Sequence, residues 1–225
     1  MLILVSVFLS QRRNMRFKDR IQAGQLLADK LKGYADKDVV VYAIPRGGVL
    51  TAVEIARNLH AVLDLVITRK ISHPDNPEYA IAATAENGHI VGTPRELALV
   101  GEDWLEREMK KGRLEVARRR KKYLHGKKMT SAKGKIAVVV DDGVATGLTL
   151  RVGIMEIKHY NPAKLIVAVP VVPRSTAKIL RKEADELIAL EIPSDDKFLG
   201  AVGSYYDSFA QVKDKDVIKI LDAYR

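Results

Sequence analysis

The sequence predicts an α/β fold with an open, mostly parallel sheet and helices on both faces. A strand, a loop and a helix alternate at least four times along the chain, which is the order found in layered α/β proteins. The strands are short apolar runs without polar alternation, as expected where a parallel sheet is buried on both faces. A length of 225 residues favours one domain.

The helices and strands are predicted from capping residues, apolar spacing and chain breakers. Asp19 can cap a helix that continues to about Leu31. Residues 39–44 form an apolar run of strand length, and Pro45-Arg46-Gly47-Gly48 separates it from a helix that ends near Leu59. The same signals predict, in order, strands over 63–68, 136–140, 165–169 and 187–190, and helices over 102–124, 148–158, 175–183 and from about 214 onward.

A loop and a hairpin are predicted between the second strand and the long helix. Residues 73–78 include two prolines and an asparagine, which favour a loop. Two alternating segments, 79–85 and 89–91, flank Asn87-Gly88. Asn-Gly between such segments is a strong signal for a β-hairpin.

The N-terminus is expected to lie outside this domain. Residues 1–9 are almost all apolar, and Arg12 and Arg13 follow them, which reverses the order of charge and apolar stretch in a secretory signal. We therefore interpret residues 1–14 as an extension to a single domain over residues 15–225. A further hypothesis is that Met15 is the native start.

The composition excludes several classes of protein and of site. The chain contains 47% hydrophobic and 29% charged residues, which excludes a disordered or fibrous protein. It contains no cysteine, which excludes disulfides, thiolate zinc sites and cysteine nucleophiles and favours a cytoplasmic protein. No run of 18 or more apolar residues occurs, so we expect no membrane partner.

The net charge of +10 is concentrated in one segment. Residues 106–135 hold thirteen basic and three acidic residues and so carry the whole excess. A local basic patch can bind nucleic acid or another polyanion. It can equally be the solvated face of an amphipathic helix, since Leu105, Met109, Val116 and Tyr123 fall close to one face of the predicted helix.

The residues with the clearest chemistry follow the predicted strand 136–140. Asp141 and Asp142 are adjacent carboxylates, and Gly143-Val144-Ala145-Thr146-Gly147 leads from them into the helix that begins with Leu148-Thr149. Small residues let an anion approach the backbone N–H groups of the loop and of the first helical turn. The carboxylates can accept hydrogen bonds from vicinal hydroxyls. Together they suit a ribose 5-phosphate.

Other phosphate-binding motifs fit poorly. Gly147 is followed by Leu148 where a P-loop requires lysine, and no G-x-G-x-x-G follows a strand. The segment 141–149, with the strand before it, instead resembles the 5-phosphoribosyl diphosphate (PRPP) motif of type I phosphoribosyltransferases. Gly143 stands where most members of this family have an aliphatic residue. A glycine at this position resembles one subgroup of the family whose acceptor is unsettled. The resemblance extends from about Phe17 to the C-terminus.

The resemblance implies roles for the residues of the motif. Asp141 and Asp142 would be the catalytic acidic pair, holding the ribose 2′- and 3′-hydroxyls. They would also hold Mg²⁺ indirectly, through PRPP or water. The 5-phosphate would be bound by Gly143, Val144, Ala145, Thr146, Gly147, Leu148 and Thr149.

The leaving group and the acceptor are implied at two other places. Arg46, Gly47 and Gly48 resemble the family's pyrophosphate loop, which often contains a non-proline cis peptide, and Lys70 would reach the same group. The loop 73–78 matches the family's flexible loop, which closes over the reaction. Val171, Tyr205 and Tyr206 are the candidates for a small hood that covers the acceptor, with the two rings stacking on a planar base.

The resemblance therefore implies a Mg²⁺-dependent enzyme of nucleotide metabolism. It would transfer the phosphoribosyl group of PRPP to a nitrogenous acceptor, and a homodimer is usual in the family. Purines, pyrimidines and other amines all remain open as acceptors. The alternative is a PRPP-sensing regulator that binds nucleic acid through the basic helix 106–135, although this segment lacks interleaved aromatic residues and a helix-turn-helix pattern.

Overall fold

The computed structural model describes residues 15–224, so the predicted extension 1–14 lies outside the described residues. The main sheet has five strands in the order β2-β1-β6-β7-β8, and every neighbouring pair is parallel. The strands of this sheet are β1 (Val39–Ala43), β2 (Val62–Leu65), β6 (Ile136–Val140), β7 (Lys164–Val171) and β8 (Glu186–Glu191). The prediction of an open parallel α/β sheet is confirmed.

Alternate residues of each strand enter two separate cores, so both faces of the sheet are covered. Val41 and Val138 pack on one side with α1, α2, α4 and α7, whereas Tyr42 and Val139 pack on the other with α5 and α6. The helices are α1 (Arg20–Leu31), α2 (Gly48–Leu59), α3 (Pro94–Leu99), α4 (Glu102–Leu124), α5 (Leu148–Lys158), α6 (Arg174–Glu183) and α7 (Asp214–Tyr224).

Most element boundaries agree with the sequence signals. Asp19 caps α1 as predicted, because its carboxylate accepts a hydrogen bond of 2.9 Å from the Gln22 N–H. The end of β7 differs from the prediction, since the strand continues through Pro170 to Val171. Proline removes one N–H donor but not its carbonyl, and the ladder to β8 resumes with the pairing of Val171 and Glu191.

A second, antiparallel sheet replaces most of the predicted loop. It consists of β3 (Arg69–His73), β4 (Asn76–Thr84) and β5 (Ile90–Gly92) in that order. The hairpin around Asn87-Gly88 is confirmed by the pairing of β4 with β5. The loop prediction for 73–78 is wrong at most positions, because His73 pairs with Asn76 across a turn at Pro74–Asp75.

The β4–β5 turn is tied to the helices on either side of it. Glu156 on α5 is completely buried and accepts hydrogen bonds from the Asn87 N–H and from Nδ1 of His89. Glu86 accepts one from Nε of Arg120 on α4. The base of the small sheet is thus fixed to the domain, whereas its Pro74–Asp75 tip is exposed.

A small hood lies beyond β8. Residues 198–206 pack on the N-terminal segment, where Phe17, Val171, Tyr205 and Tyr206 form a separate apolar cluster. The Phe17 N–H donates to the Tyr205 carbonyl at 2.8 Å, and the Asp207 N–H donates to the Phe17 carbonyl at 2.8 Å. Within residues 15–224, no helix has the length and apolar character needed to cross a membrane.

Arg120 is the most deeply embedded cation of the basic segment. Its side chain is 8% exposed and binds Glu86 at 2.7 Å, Asp64 at 3.4 Å and the Leu65 carbonyl at 2.6 Å. Burial raises the pKa of Glu86 despite the opposing effect of Arg120. The guanidinium therefore balances the buried Asp64 and the half-buried Glu86 and joins α4 to the end of β2.

We predict that Arg120→Ala lowers the free energy of unfolding by about 3–5 kcal/mol, because it leaves the buried Asp64 and the half-buried Glu86 without their cation. Lys121→Ala, at an exposed position next in sequence, should change it by less than about 0.5 kcal/mol. Urea denaturation followed by circular dichroism measures both. Equal effects of the two substitutions would contradict the structural role of Arg120.

Candidate functional site

One cleft of about 580 Å³ opens at the carboxyl ends of the parallel strands. Loops after β1, β2 and β6 meet there because these three strands are neighbours in the sheet, and ligands of open α/β sheets bind at this edge. The residues that line it include Arg46, Gly47, Lys70, Asp141, Asp142, Gly143, Val144, Ala145, Thr146, Gly147 and Thr149. The structure thus brings most of the predicted site residues together.

Two of the residues predicted to bind the phosphate or the pyrophosphate do not line the cleft. Leu148 is 7% exposed and packs with Ala83 and Val152, which joins α5 to the small sheet. Gly48 lies behind the acidic pair, and a Cβ atom there would be 2.9 Å from the Asp141 Cα. Only the backbone of Leu148 could serve a phosphate, and the contribution of Gly48 is close packing.

The acidic pair is held at the end of β6. The Asp142 N–H donates to Oδ1 of Asp141 at 2.8 Å, and the Tyr206 hydroxyl donates to the Asp142 carbonyl at 2.6 Å. Burial and the neighbouring charge of Asp142 raise the pKa of Asp141 well above 3.8, although Lys70 acts in the opposite direction. The ionised form of Asp141 is therefore disfavoured unless a cation or a hydroxyl donor contacts it.

Arg20 is a functional candidate that the sequence reasoning missed. Its Nε donates to Oδ2 of Asp142 at 2.5 Å, and its Nη1 donates to the Ala210 carbonyl at 2.9 Å. The guanidinium lies 3.6 Å from the centre of the Phe209 ring. The Arg20 side chain is only 9% exposed, so these contacts fix the orientation of the Asp142 carboxylate.

The small-residue loop after Asp142 is fixed by bonds to the next strand and helix. The Val144 N–H donates to the Val171 carbonyl at 2.8 Å, and the Thr176 hydroxyl donates to the Ala145 carbonyl at 2.8 Å. Gly147 starts α5 without a capping side chain. The N–H groups of the first helical turn therefore remain available to an anion in the cleft.

Gly143 is required by its surroundings. It has φ +146°, and a Cβ atom there would lie 2.3 Å from Cγ1 of Val202 and 3.1 Å from Cγ1 of Val171. Val202 lines the cleft. A valine from the hood thus occupies the space that an aliphatic side chain at position 143 would take, which explains the departure of this position from the familiar pattern.

The loop after β1 packs tightly against the acidic pair. The Pro45–Arg46 peptide is cis, as the resemblance implied. A Cβ atom on Gly47 would lie 1.9 Å from Oδ2 of Asp142, so only glycine fits there.

Asp214, at the start of α7, contacts this loop through Arg46. It accepts hydrogen bonds from Lys122 and, at 3.5 Å, from Arg46. The hydrogen bond from Lys122 lowers the pKa of Asp214 to about 2.

A family model described as the phosphoribosyl transferase domain matches residues 15–207. The chain belongs to this family. Proteins named "Putative phosphoribosyl transferase" in two strains of Mycobacterium tuberculosis are 36% identical to the chain over 213 residues, which cover 92% of the chain. The chain spans about half the length of these curated relatives, since the match covers 46% of each.

A solved structure is also similar to this phosphoribosyl transferase domain. It is a protein from Thermus thermophilus that shares 39% sequence identity with the chain. The match covers 93% of the chain and 99% of the other, with a TM-score of 0.77. The fold and the family therefore agree with the resemblance found in the sequence.

The predicted acceptor contacts of this phosphoribosyl transferase domain need correction. Tyr205 and Val171 are completely buried, and Tyr206 is 3% exposed. Their side chains pack in the hood cluster with Phe17, so neither ring offers a free face for stacking on a base. The hood residue that does reach the cleft is Val202.

The acidic pair fits a hard divalent cation only in part. Among residues 15–224, no group of three or more His, Asp or Glu side chains is arranged to hold a metal. Mg²⁺, however, is commonly held by one or two carboxylates together with substrate phosphates and water. Asp141 and Asp142 fit that mode, in which the substrate supplies the other ligands.

We predict that Asp141→Asn raises the free energy of unfolding at neutral pH when EDTA removes divalent cations. A raised pKa in the folded state means that ionised Asp141 opposes folding, so its contribution becomes less favourable as the pH rises through that pKa. The difference in free energy of unfolding between the variant and the parent protein should therefore decrease as the pH falls toward 3.8, the pKa that Asp141 would otherwise have. Urea denaturation across this pH range measures it.

Asp75→Asn is the matched control, because the carboxylate at the hairpin tip is 89% exposed. It should leave the free energy of unfolding nearly unchanged. An Asp141→Asn variant less stable than the parent protein at neutral pH would contradict the assigned repulsion.

Proposed function

We propose that the protein transfers the 5-phosphoribosyl group of PRPP to a nitrogenous acceptor, most simply a nucleobase, and releases pyrophosphate. The observation that carries the proposal is the cleft itself. It joins an acidic pair, a loop with free N–H groups and a second loop with basic neighbours. This combination matches a diol, a phosphate monoester and a diphosphate on one sugar.

The ribose and its phosphate would lie along the loop after β6. Asp141 and Asp142 would accept hydrogen bonds from the two ribose hydroxyls, and Arg20 would keep Asp142 in place. The Val144 N–H is already bonded to the Val171 carbonyl, so the N–H groups from Ala145 to Thr149 and the threonine hydroxyls would bind the 5-phosphate. The paired carboxylates would also stabilise positive charge that develops on the sugar as the bond to the leaving group breaks.

The pyrophosphate would leave on the opposite wall of the cleft. There the backbone of Arg46 and Gly47 follows β1, and Lys70 with Arg69 follows β2. Preorganised N–H groups and cations stabilise charge that accumulates on a leaving group. Mg²⁺ bound with the substrate would neutralise part of that charge.

The acceptor would approach from the hood side. Val202 of the hood lines the cleft, as do the apolar residues Ile44 and Val144, and an apolar surface suits one face of a planar ring. None of these side chains can donate or accept a hydrogen bond, so they do not distinguish purines from pyrimidines. A homodimer stays a prediction, as does closure of the β3–β4 hairpin over the bound substrate.

The alternative role as a nucleic-acid-binding regulator drew in part on the dense run 118–122, whose cations face different environments. Arg120 is buried, Arg119 lines the cleft, and Lys122 pairs with Asp214. The run 118–122 therefore does not form one surface for a phosphate backbone. Salt-resistant binding of duplex DNA or structured RNA would restore this alternative.

The direct test is incubation with PRPP, Mg²⁺ and a panel of nucleobases, followed by measurement of released pyrophosphate. We predict acceptor-dependent release, and a rate at least about 100-fold lower for Asp142→Asn. Asp207→Asn, at an exposed hood position, is the control and should keep the parent rate. PRPP binding without release on any acceptor would favour the regulator instead.

A second prediction concerns Arg20 as a positioning residue. Arg20→Gln should lower kcat by about 10- to 100-fold, the range found for residues that orient a catalytic ligand. The KM for PRPP should change less, because Arg20 does not line the main cleft. Arg16→Gln, which removes the exposed pair with Asp207, is the control. A loss in Arg20→Gln confined to thermal stability would refute the positioning role.

A further inference from the structure

A second cavity of about 540 Å³ lies beside the cleft, along the exposed side of α4. We call it the α4 groove. Its lining residues are Arg69, Lys111, Leu114, Glu115, Arg118 and Arg119. Four of these six side chains are cations, and one is an anion.

The α4 groove adjoins the main cleft. Arg69 and Arg119 line both cavities. Their side chains are 30% and 33% exposed, so each can face a ligand in either space. Arg69 directly precedes Lys70 on β3, so the groove begins at the wall assigned to the leaving pyrophosphate.

The charges of the α4 groove are only partly balanced within the protein. Glu115 accepts a hydrogen bond of 2.7 Å from each of Arg118 and Arg119. The bond from Arg118 is the main reason why the pKa of Glu115 falls to about 2. Glu108, outside the groove lining, pairs with Lys111 at 2.7 Å and with Arg69 at 3.7 Å, so two carboxylates serve four cations. Lys111 and Arg118 remain 65% and 57% exposed, which leaves their other N–H groups free to bind an anion from solvent.

We propose that the α4 groove binds the distal phosphates of a linear polyphosphate whose first two phosphates occupy the leaving-group wall of the cleft. This inference rests on the proposed function, because it takes the pyrophosphate position from it. Such a ligand would compete with PRPP and inhibit the enzyme. Its chemistry can come from inorganic tripolyphosphate or from the phosphate tail of a nucleoside triphosphate.

The test compares the binding of pyrophosphate, tripolyphosphate and PRPP by isothermal titration calorimetry at a fixed excess of Mg²⁺. Tripolyphosphate should bind the parent protein at least about tenfold more tightly than pyrophosphate, because charge-assisted hydrogen bonds are the stronger class. The double variant Lys111→Gln/Arg118→Gln should reduce this ratio to near one. Its affinity for PRPP and pyrophosphate should stay unchanged.

The matched control is Lys110→Gln/Lys121→Gln. Both lysines are exposed on α4 but do not line the α4 groove, so the control removes the same net charge. It should keep the preference for tripolyphosphate. A preference that is absent from the parent protein, or that falls equally in both double variants, would overturn the proposal.

The remaining results separate this inference from the proposed function. If the protein binds neither PRPP nor pyrophosphate, both the proposed function and this inference are wrong. If both bind normally and tripolyphosphate binds no more tightly, the inference alone is wrong. ATP and GTP titrated alongside identify the source, since a nucleotide that loses affinity only in Lys111→Gln/Arg118→Gln uses the α4 groove through its phosphate tail.

Discussion

The site depends on a close approach between two loops that follow neighbouring strands. β1 and β6 pair in parallel register, so the backbone after Ala43 and the carboxylates after Val140 emerge side by side. Gly47 then lies so near Asp142 that a Cβ atom would be 1.9 Å from the carboxylate. The acidic pair and the loop after β1 are thus packed directly against each other at the cleft.

This arrangement places two carboxylates side by side at the end of β6. Burial and Asp142 raise the pKa of Asp141, whereas Arg20 compensates Asp142 directly. The two carboxylates are therefore unequal, although they are adjacent in sequence. Asp142 is fixed by Arg20 of α1, whose guanidinium packs on the ring of Phe209. Asp141 instead accepts the Asp142 N–H. The ionised acidic pair carries an electrostatic cost while no ligand is bound. A cationic or hydroxyl-rich ligand removes that cost and so gains binding free energy.

The sequence could predict those features that depend on contiguous residues. The strand, the acidic pair and the loop to α5 are consecutive, so their spacing alone defines the motif, and Asp19 caps α1 because the cap and the helix are neighbours. Arg20 and Val202 act on that motif from distant parts of the chain, and Arg20 is 122 positions from Asp142. No local pattern marks them, because the contact is made by tertiary packing. The prediction that Tyr205 and Tyr206 stack on a base is wrong for a related reason. In a sequence, an aromatic pair that packs in a cluster cannot be told from one at a binding surface.

The basic segment shows why net charge predicts so little about partners. Neighbouring helical residues point about 100° apart, so a run of five cations on α4 faces several environments. Arg120 turns inward and neutralises Asp64 and Glu86, Arg119 turns toward the cleft, and Lys122 meets the start of α7. Arg118 is left on the outside beside Glu115. The same excess charge therefore stabilises the fold, lines the proposed substrate site and provides a surface for anions, and only the last of these could be shared with a nucleic acid.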